Sequence, residues 1–247
     1  MPSTFEIFAA LHVPGDPLVL YHIWDPGSAV AVAEAGAKAL ATGSHPVGDA
    51  SGFGDGQKVP LAYVLENAQR IIAATQLPLT VDFEGAYSTK AEEGAANVAS
   101  LKEVGVVGCN IEDQVVGSDG LHLLELQVRR IAAIRQAVGD DFFINARTDL
   151  LIKKMAHDDG LIDEVIARGK AFAGAGASGF FVPRLSDPRQ VERVAREVPL
   201  PLNLIALPGA PTKQKWASAG VARISHGPFP FQKLMQQLVA NAREAMA

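Results

Sequence analysis

The stretch from residue 79 to residue 113, LTVDFEGAYSTKAEEGAANVASLKEVGVVGCNIED, decides how the rest of the chain is read. It opens with the apolar run Leu79–Phe83, passes through a helical pattern near 90–104 and closes on a second run, Val106–Ile111. Both runs are continuous rather than alternating, the signature of strands buried on both faces of a parallel sheet. Each run also ends in acid: Asp82 and Glu84 at the first, Glu112 and Asp113 at the second. Carboxylates at the C-terminal ends of neighbouring parallel strands point into one cleft, where they repel unless a cation or protons compensate. Hard oxygen ligands with room for water describe a Mg²⁺ site, with Mn²⁺ as the alternative.

The same strand–helix alternation extends in both directions. Further strands are predicted at Val19–Trp24, Lys38–Thr42, Phe142–Ala146, Gly179–Val182, Leu202–Ile205 and Ala222–Ser225, with helices near 28–36, 61–75, 121–138, 159–175, 187–197, 212–219 and 229–244. Eight such units in series predict a (β/α)₈ barrel of the TIM type, one domain over residues 1–247. An open doubly wound sheet would want a Gly-rich phosphate loop after the first strand, and Asp25-Pro26-Gly27-Ser28 is not one. Ser28 is expected to cap the helix that follows. Pro78 and Pro201 stand at strand entrances, where a missing N–H is tolerated. The segment Gly43–Pro60, rich in Gly, Ser and Asp, is a long βα connection of the kind used for substrate or for closing a site.

Composition bounds the function. A length of 247 residues suits one α/β barrel, and 48% hydrophobic with 20% charged residues suits a folded core. The net charge of −5 and the lack of a Lys/Arg-rich tract argue against a nucleic-acid surface. No apolar run reaches membrane-spanning length, and no basic-then-apolar leader opens the chain. The single cysteine, Cys109, excludes an internal disulfide and suits a reducing compartment, so a cytoplasmic location is expected.

In a barrel the chemistry lies at the C-terminal ends of the strands. Those ends deliver Asp25; Gly43, Ser44 and His45, with Asp55 in the following loop; Asp82 and Glu84; Asn110, Glu112 and Asp113. Beyond these come Asn145, Arg147 and Asp149; Arg184; Asn203; and Ser225 with His226. Asp82 and Glu84 have period-2 spacing and are expected on one side of the strand. Glu112 and Asp113 are adjacent and face opposite ways, so one binds while the other caps or pairs with a base. A planar guanidinium at Arg147 either neutralises a neighbouring carboxylate or clamps a substrate carboxylate. Asp55, Arg147 and His45 are the catalytic candidates. His12, His22, His122 and His157 have weaker claims, and Cys109 reads as a small buried hydrophobe.

At these residues the chain resembles the isocitrate lyase/phosphoenolpyruvate mutase superfamily. The likeness runs through Trp24-Asp25-Pro26-Gly27-Ser28-Ala29, Gly43-Ser44, Val81-Asp82-Phe83-Glu84-Gly85 and Asn110-Ile111-Glu112-Asp113. It continues through Ile144-Asn145-Ala146-Arg147-Thr148-Asp149, Phe180-Phe181-Val182-Pro183 and Gly220-Val221-Ala222-Arg223-Ile224-Ser225. The resemblance implies a (β/α)₈ barrel that binds Mg²⁺ and a 2-oxo acid or its enolate. Asp82 would ligate the metal directly, and Glu84 and Glu112 would hold its waters. Gly43, Ser44, Asp55, Arg147 and Asn203 would surround the substrate, with Asp82 beside it. The resemblance also implies a homo-oligomer, dimer or tetramer.

Two departures narrow the implied activity. The cleaving lyases carry a Lys-Lys-Cys-Gly-His or Lys-Arg-Cys-Gly-His segment after strand 4, where this chain reads Gln114-Val115-Val116-Gly117-Ser118-Asp119-Gly120. The gating segment of the mutase is missing as well. The expectation is a Mg²⁺-dependent enzyme acting on a small 2-oxo or 2-hydroxy (di)carboxylic acid through a metal-bound enolate, as a C–C lyase or decarboxylase. Phosphoenolpyruvate or phosphonopyruvate chemistry at a P–C bond, and metal-dependent binding without turnover, stand as alternatives.

Overall fold

The structure is a computed structural model that describes residues 1–154 and 158–247; His157 lies outside the described residues. Eight parallel strands lie in the order β1-β8-β7-β6-β5-β4-β3-β2. They are β1 (Leu18–Leu20), β2 (Leu40–Ala41), β3 (Leu79–Asp82), β4 (Gly108–Glu112), β5 (Phe143–Arg147), β6 (Gly179–Phe181), β7 (Leu202–Ile205) and β8 (Val221–Ser225). Past the end of β1 the chain bends and returns to pairing at Ile23, which bridges Thr42 in parallel. Ile23 N–H donates to Ala41 O at 2.9 Å, and Gly43 N–H donates to Ile23 O at 3.3 Å, which closes the seam. The expected barrel is therefore the observed fold. Pro78 and Pro201 serve as expected: with no N–H to give, their carbonyls accept from Leu40 N–H at 2.8 Å and Phe180 N–H at 3.0 Å.

The outer wall of the barrel is apolar. Val81, Cys109, Ile111, Ile144, Phe180 and Leu204 alternate outward into one core cluster with helix residues such as Ile71, Val98, Ile131 and Phe172. Those helix residues come from α4 (Leu61–Ala74), α5 (Ala91–Glu103), α6 (Leu124–Val138) and α8 (Asp159–Gly174). The remaining helices are α1 (Thr4–Ala10), α2 (Pro26–Glu34), α3 (Ser44–Ala50), α7 (Leu150–Lys153), α9 (Pro188–Glu197), α10 (Lys213–Ser218) and α11 (Phe229–Met246). None of the described helices is long and apolar enough to cross a membrane.

Three helices, α1, α3 and α7, lie where the strand–helix pattern predicts none. α1 is announced by Ser3 and Glu6, which form a reciprocal cap: Glu6 N–H donates to Ser3 Oγ at 3.2 Å and Ser3 N–H to the Glu6 carboxylate at 2.6 Å. α3 turns the expected long loop into a short helix whose Gly48 lies against the Gly54 backbone, so closely that a Cβ would collide with it. The cap of α2 also differs from expectation. Asp25 is the N-cap, accepting from Ser28 N–H at 2.7 Å, and Ser28 Oγ answers from the N3 position. Asp25 is thereby spent on the helix rather than on the site.

Inside the barrel the layers differ in chemistry. At the N-terminal end, Leu18, Leu20, Ala39, Ala41 and Phe143 form a small apolar cluster closed from below by Phe8 of α1. Phe8 meets the Phe143 ring edge-on at 5.4 Å, and His12 stacks on the same ring at 4.1 Å. Above this plug the interior is polar: Thr80, Asn110, Asn145, Asn203, Arg223 and Ser225 are all at least 97% buried. Barrels more often fill this space with Val, Ile and Leu. Phe8 is fully buried, and Phe8→Ala opens a void in the plug, so a loss of about 3–5 kcal/mol is expected. Urea unfolding of Phe8→Ala beside wild type measures it; a change under 1 kcal/mol would show that α1 is not structural.

Candidate active site

Parallel register sets the site. Asp82 on β3 pairs with Asn110 on β4, Asn110 with Asn145 on β5, and Glu112 with Arg147. Asn110 lies one layer below and works upward: its Nδ2 donates to Asp82 Oδ1 at 3.3 Å. Its own Oδ1 accepts from Asn145 Nδ2 at 2.8 Å and, across the barrel, from Arg223 Nη2 at 3.2 Å. Those two donors orient the amide so that its NH₂ faces the carboxylate. The other Asp82 oxygen accepts from Ser44 Oγ at 3.1 Å and Ser44 N–H at 3.4 Å. Asp82 is thus held on both oxygens before any ligand arrives.

Glu84 reaches the site by a different route from the one its spacing suggested. β3 ends at Asp82, and Glu84 sits in a left-handed conformation at φ 49°, so strand alternation no longer governs where it points. Ala86, Tyr87 and Gln57 are left-handed too, at φ 57°, 56° and 55°. Such conformations cost on the order of 1 kcal/mol or more each in residues other than glycine, and they persist where surrounding bonds fix them. Gln57 supplies those bonds: its N–H donates to the Glu84 carboxylate, and its Oε1 accepts from Tyr87 N–H at 2.5 Å.

Of the adjacent acids Glu112 and Asp113, it is Asp113 that pairs with the base Arg168. Asp113 is fully buried and structural, accepting from Thr148 Oγ1 at 2.7 Å, Asp149 N–H at 2.9 Å and Arg168 Nη1 at 3.0 Å. Glu112 faces inward and meets Arg147 Nη1 at 3.0 Å. Arg147 is gripped on its other edge by Asp149, at 2.6 Å from Nε and 3.0 Å from Nη2. Burial opposes its charge, but Glu112, Asp149 and Asp82 overcome that and raise its pKa further.

Burial pushes the Glu84 carboxyl up to about 8, and the negative charges of Asp82 and Asp55 add to it. Burial likewise pushes Glu112 up to about 8 against the pull of Arg147. Among the described residues, no three His, Cys, Asp or Glu side chains draw together into a ready metal cage. Mg²⁺ rarely needs one, since it keeps several waters and takes one or two carboxylates directly. Asp82 with Glu84 and Glu112 behind it fits that mode; burial is the main reason both glutamates hold their protons, and a cation beside them would favour their charged forms.

Beside Asp82 lies a cavity of about 170 Å³, bounded by Ser44, His45, Asp55, Asn110 and Arg147 among others. His45 Nε2 stands 2.9 Å from an Asp49 oxygen, and its Nδ1 is 3.9 Å from Asp55. Asn203 sits one layer down, where its Oδ1 accepts from Ser225 Oγ at 3.2 Å. Arg184 is exposed, and His226 packs near the Tyr21 ring at 5.2 Å. Cys109 faces the outer core, where burial pushes its thiol pKa up.

Some functional positions escape the pattern of strand ends. His22 lines the cavity, and Gly227 N–H donates to its Nδ1 at 3.0 Å, which places its own proton on Nε2. Burial lowers its pKa to about 4, so the ring is neutral at pH 7. Arg223 and Gln57 act through Asn110 and Glu84. Nothing in their spacing marks them, because each works through a contact between distant segments.

A barrel with this acid-and-arginine mouth defines a class, and comparison with known proteins supplies the family. The family model for phosphoenolpyruvate phosphomutase matches residues 8–246, and the chain belongs to that family, within the isocitrate lyase/phosphoenolpyruvate mutase superfamily. It is similar to an uncharacterised protein of Mycobacterium tuberculosis, 33% identical over 228 residues, which are 91% of this chain and 83% of that one. It is also similar to the provisionally named 2-methylisocitrate lyase 2 of Corynebacterium glutamicum, 32% identical over 72% of this chain and 59% of the other. A solved structure from Burkholderia cenocepacia J2315, provisionally named a phosphonomutase, superposes with a TM-score of 0.95 at 42% identity, covering 98% of each chain.

The raised carboxyls make stability depend on pH. Between the ordinary value of 4.5 and about 8, the folded protein keeps protons that the unfolded chain has released. The stability these two groups contribute is therefore fullest below 4.5 and falls as pH rises through that window, while His12, His22 and His122, whose pKa values burial lowers, act in the opposite direction below 6.5. In chelator, Tm is expected to drop from pH 7 to pH 8, above the range in which the histidines titrate, and Mg²⁺ should raise it more at pH 8 than at pH 7. Glu84→Gln should flatten the slope and blunt the Mg²⁺ response. Thermal melts read all three, and a chelated Tm indifferent to pH would contradict the assignment.

Proposed function

We propose that this protein is a Mg²⁺-dependent enzyme that makes or breaks a C–C bond of a small 2-oxo or 2-hydroxy acid through an enolate. The observation that carries the reading is that Asp82 and Arg147 line one small cavity at the C-terminal ends of β3 and β5, with Glu112 on Arg147 at 3.0 Å and Glu84 close enough to feel the charge of Asp82. When bound, the cation would offset the negative charge that grows on the carbonyl oxygen. Asp82 would hold it directly, with Glu84 and Glu112 on its waters. Mn²⁺ fits the same oxygen donors.

The chain's own groups would do the rest. Arg147, fixed by Asp149 and Glu112, keeps N–H groups free for the substrate carboxylate. The turn Gly43–Ser44 braces Asp82 and forms the near wall. His45 and Asp55 at the mouth are placed to carry a proton in or out, and neutral His22 offers an N–H donor from below. The likeness to a provisionally named 2-methylisocitrate lyase supports cleavage of a C–C bond.

A second reading, rearrangement or hydrolysis at a P–C bond, draws support from the family description and from the similar Burkholderia structure. A ³¹P spectrum of phosphonopyruvate with enzyme and Mg²⁺ separates the two: the lyase reading expects no new resonance.

Assays of 2-oxo and 2-hydroxy acids with Mg²⁺, repeated in chelator, test the leading reading. Turnover is expected only with the metal. Asp82→Ala and Arg147→Ala should each lower kcat/KM by about 10²–10³-fold, the scale seen when one stabilising group of a developing charge is removed. Metal-independent turnover, or full activity in Asp82→Ala, would refute the assignment.

A further inference from the structure

The cavity has two unlike halves. Strands β2–β5 supply its polar side through Ser44, Asp82, Asn110 and Arg147, while the ends of β6–β8 and α7 supply Phe181, Pro183, Ile205, Pro228 and Ile152. From this division we propose that the site selects a 2-oxo acid bearing a single carboxylate and a short apolar tail, the tail lying against Phe181 and Ile205. The inference rests on the function proposed above and narrows its substrate class.

Charge and size both support it. Among the described residues lining the cavity, Arg147 is the one arginine or lysine, and Asp149 and Glu112 already grip it. His45 is faced by Asp49 and Asp55, and Ser225 Oγ is spent on Asn203. A second substrate carboxylate would therefore lie against aromatic and aliphatic carbon with no cation to pair with. An unpaired charge is costly in such surroundings. The volume of about 170 Å³ is close to that of the roughly 150 Å³ apolar cavity that admits benzene, which suits an acid of about six to nine heavy atoms. Tricarboxylates exceed it.

A matched pair of ligands tests this: 2-oxopentanoate and 2-oxoglutarate share chain length and differ in a terminal methyl against a terminal carboxylate. Calorimetric titration of the Mg²⁺-loaded protein, with oxalate as reference, reads all three. The expected result is tight oxalate binding and at least tenfold tighter binding of 2-oxopentanoate than of 2-oxoglutarate. Ile205→Arg, which adds a cation at the half-buried far wall, should reverse the order. Equal or tighter binding of 2-oxoglutarate by the wild type, or oxalate binding with no binding of 2-oxopentanoate, would overturn the inference while leaving the metal and 2-oxo-acid site intact. Failure of oxalate itself to bind with Mg²⁺ would instead refute the underlying function, and the inference with it.

Discussion

Asn110 joins the barrel to its chemistry. Its amide accepts from Asn145 and Arg223 below and donates to Asp82 above, so one side chain converts strand register into the orientation of the central carboxylate. The arrangement requires the middle of the barrel to be polar, and polar interiors are expensive unless their groups are paired. The fully buried Arg223 guanidinium below is complementary in charge to Asp82 above, and it meets the polar layer through Nη2, while its Nε and Nη1 have no hydrogen-bond partner among the described residues. An apolar middle layer would bury Asp82 over hydrocarbon and leave nothing to orient it. The apolar plug of Phe8, Leu18, Leu20 and Phe143 closes the end away from the site, where no chemistry is placed.

The barrel was legible in the sequence because its strands are continuous apolar runs and its outer wall faces helices, a pattern that depends only on neighbours in the chain. The acids were legible because charge at the end of a buried strand is uncommon. What escaped depends on contacts between distant segments. Period-2 spacing put Asp82 and Glu84 on one face, but the strand ends between them and a left-handed turn brings Glu84 round. Arg223 stood in plain view within Ala222-Arg223-Ile224, yet only barrel closure sets it opposite Asn110. Asp25 was read as a strand-end acid and is an N-cap; the helix that follows it gives that role a local reason. The short helices α1 and α3 escaped because seven residues carry too little periodicity, although the Ser3–Glu6 capping pair was there to be seen.

Membership of the phosphoenolpyruvate phosphomutase family identifies the scaffold and leaves the broken bond to local detail. In the function proposed above, the acids and Arg147 are the part of the site that stabilises charge on the substrate. On the same proposal, selection among substrates falls to the opposite wall and to the segments after β2 and β4. There Gln57 ties the loop carrying Asp55 to the Glu84–Tyr87 turn, and a Cβ on Gly85 would meet both Gln57 and Val116. A change in either loop is therefore felt at a carboxylate assigned to the metal's waters.

The seam between β1 and β2 carries one further consequence. Those strands are three and two residues long, and the barrel closes there through a single bridge at Ile23–Thr42. β4 and β5, by contrast, pair over five residues. Local opening of a fold begins where backbone pairing is thinnest. His22 and Gly43 flank the seam, whereas Glu112 and Arg147 ride on the long pairing and Asp82 on the three-residue pairing of β3 with β4. The cavity is thus walled unevenly: the thinnest backbone pairing of the barrel stands behind His22 and Gly43, and the longest behind Glu112 and Arg147.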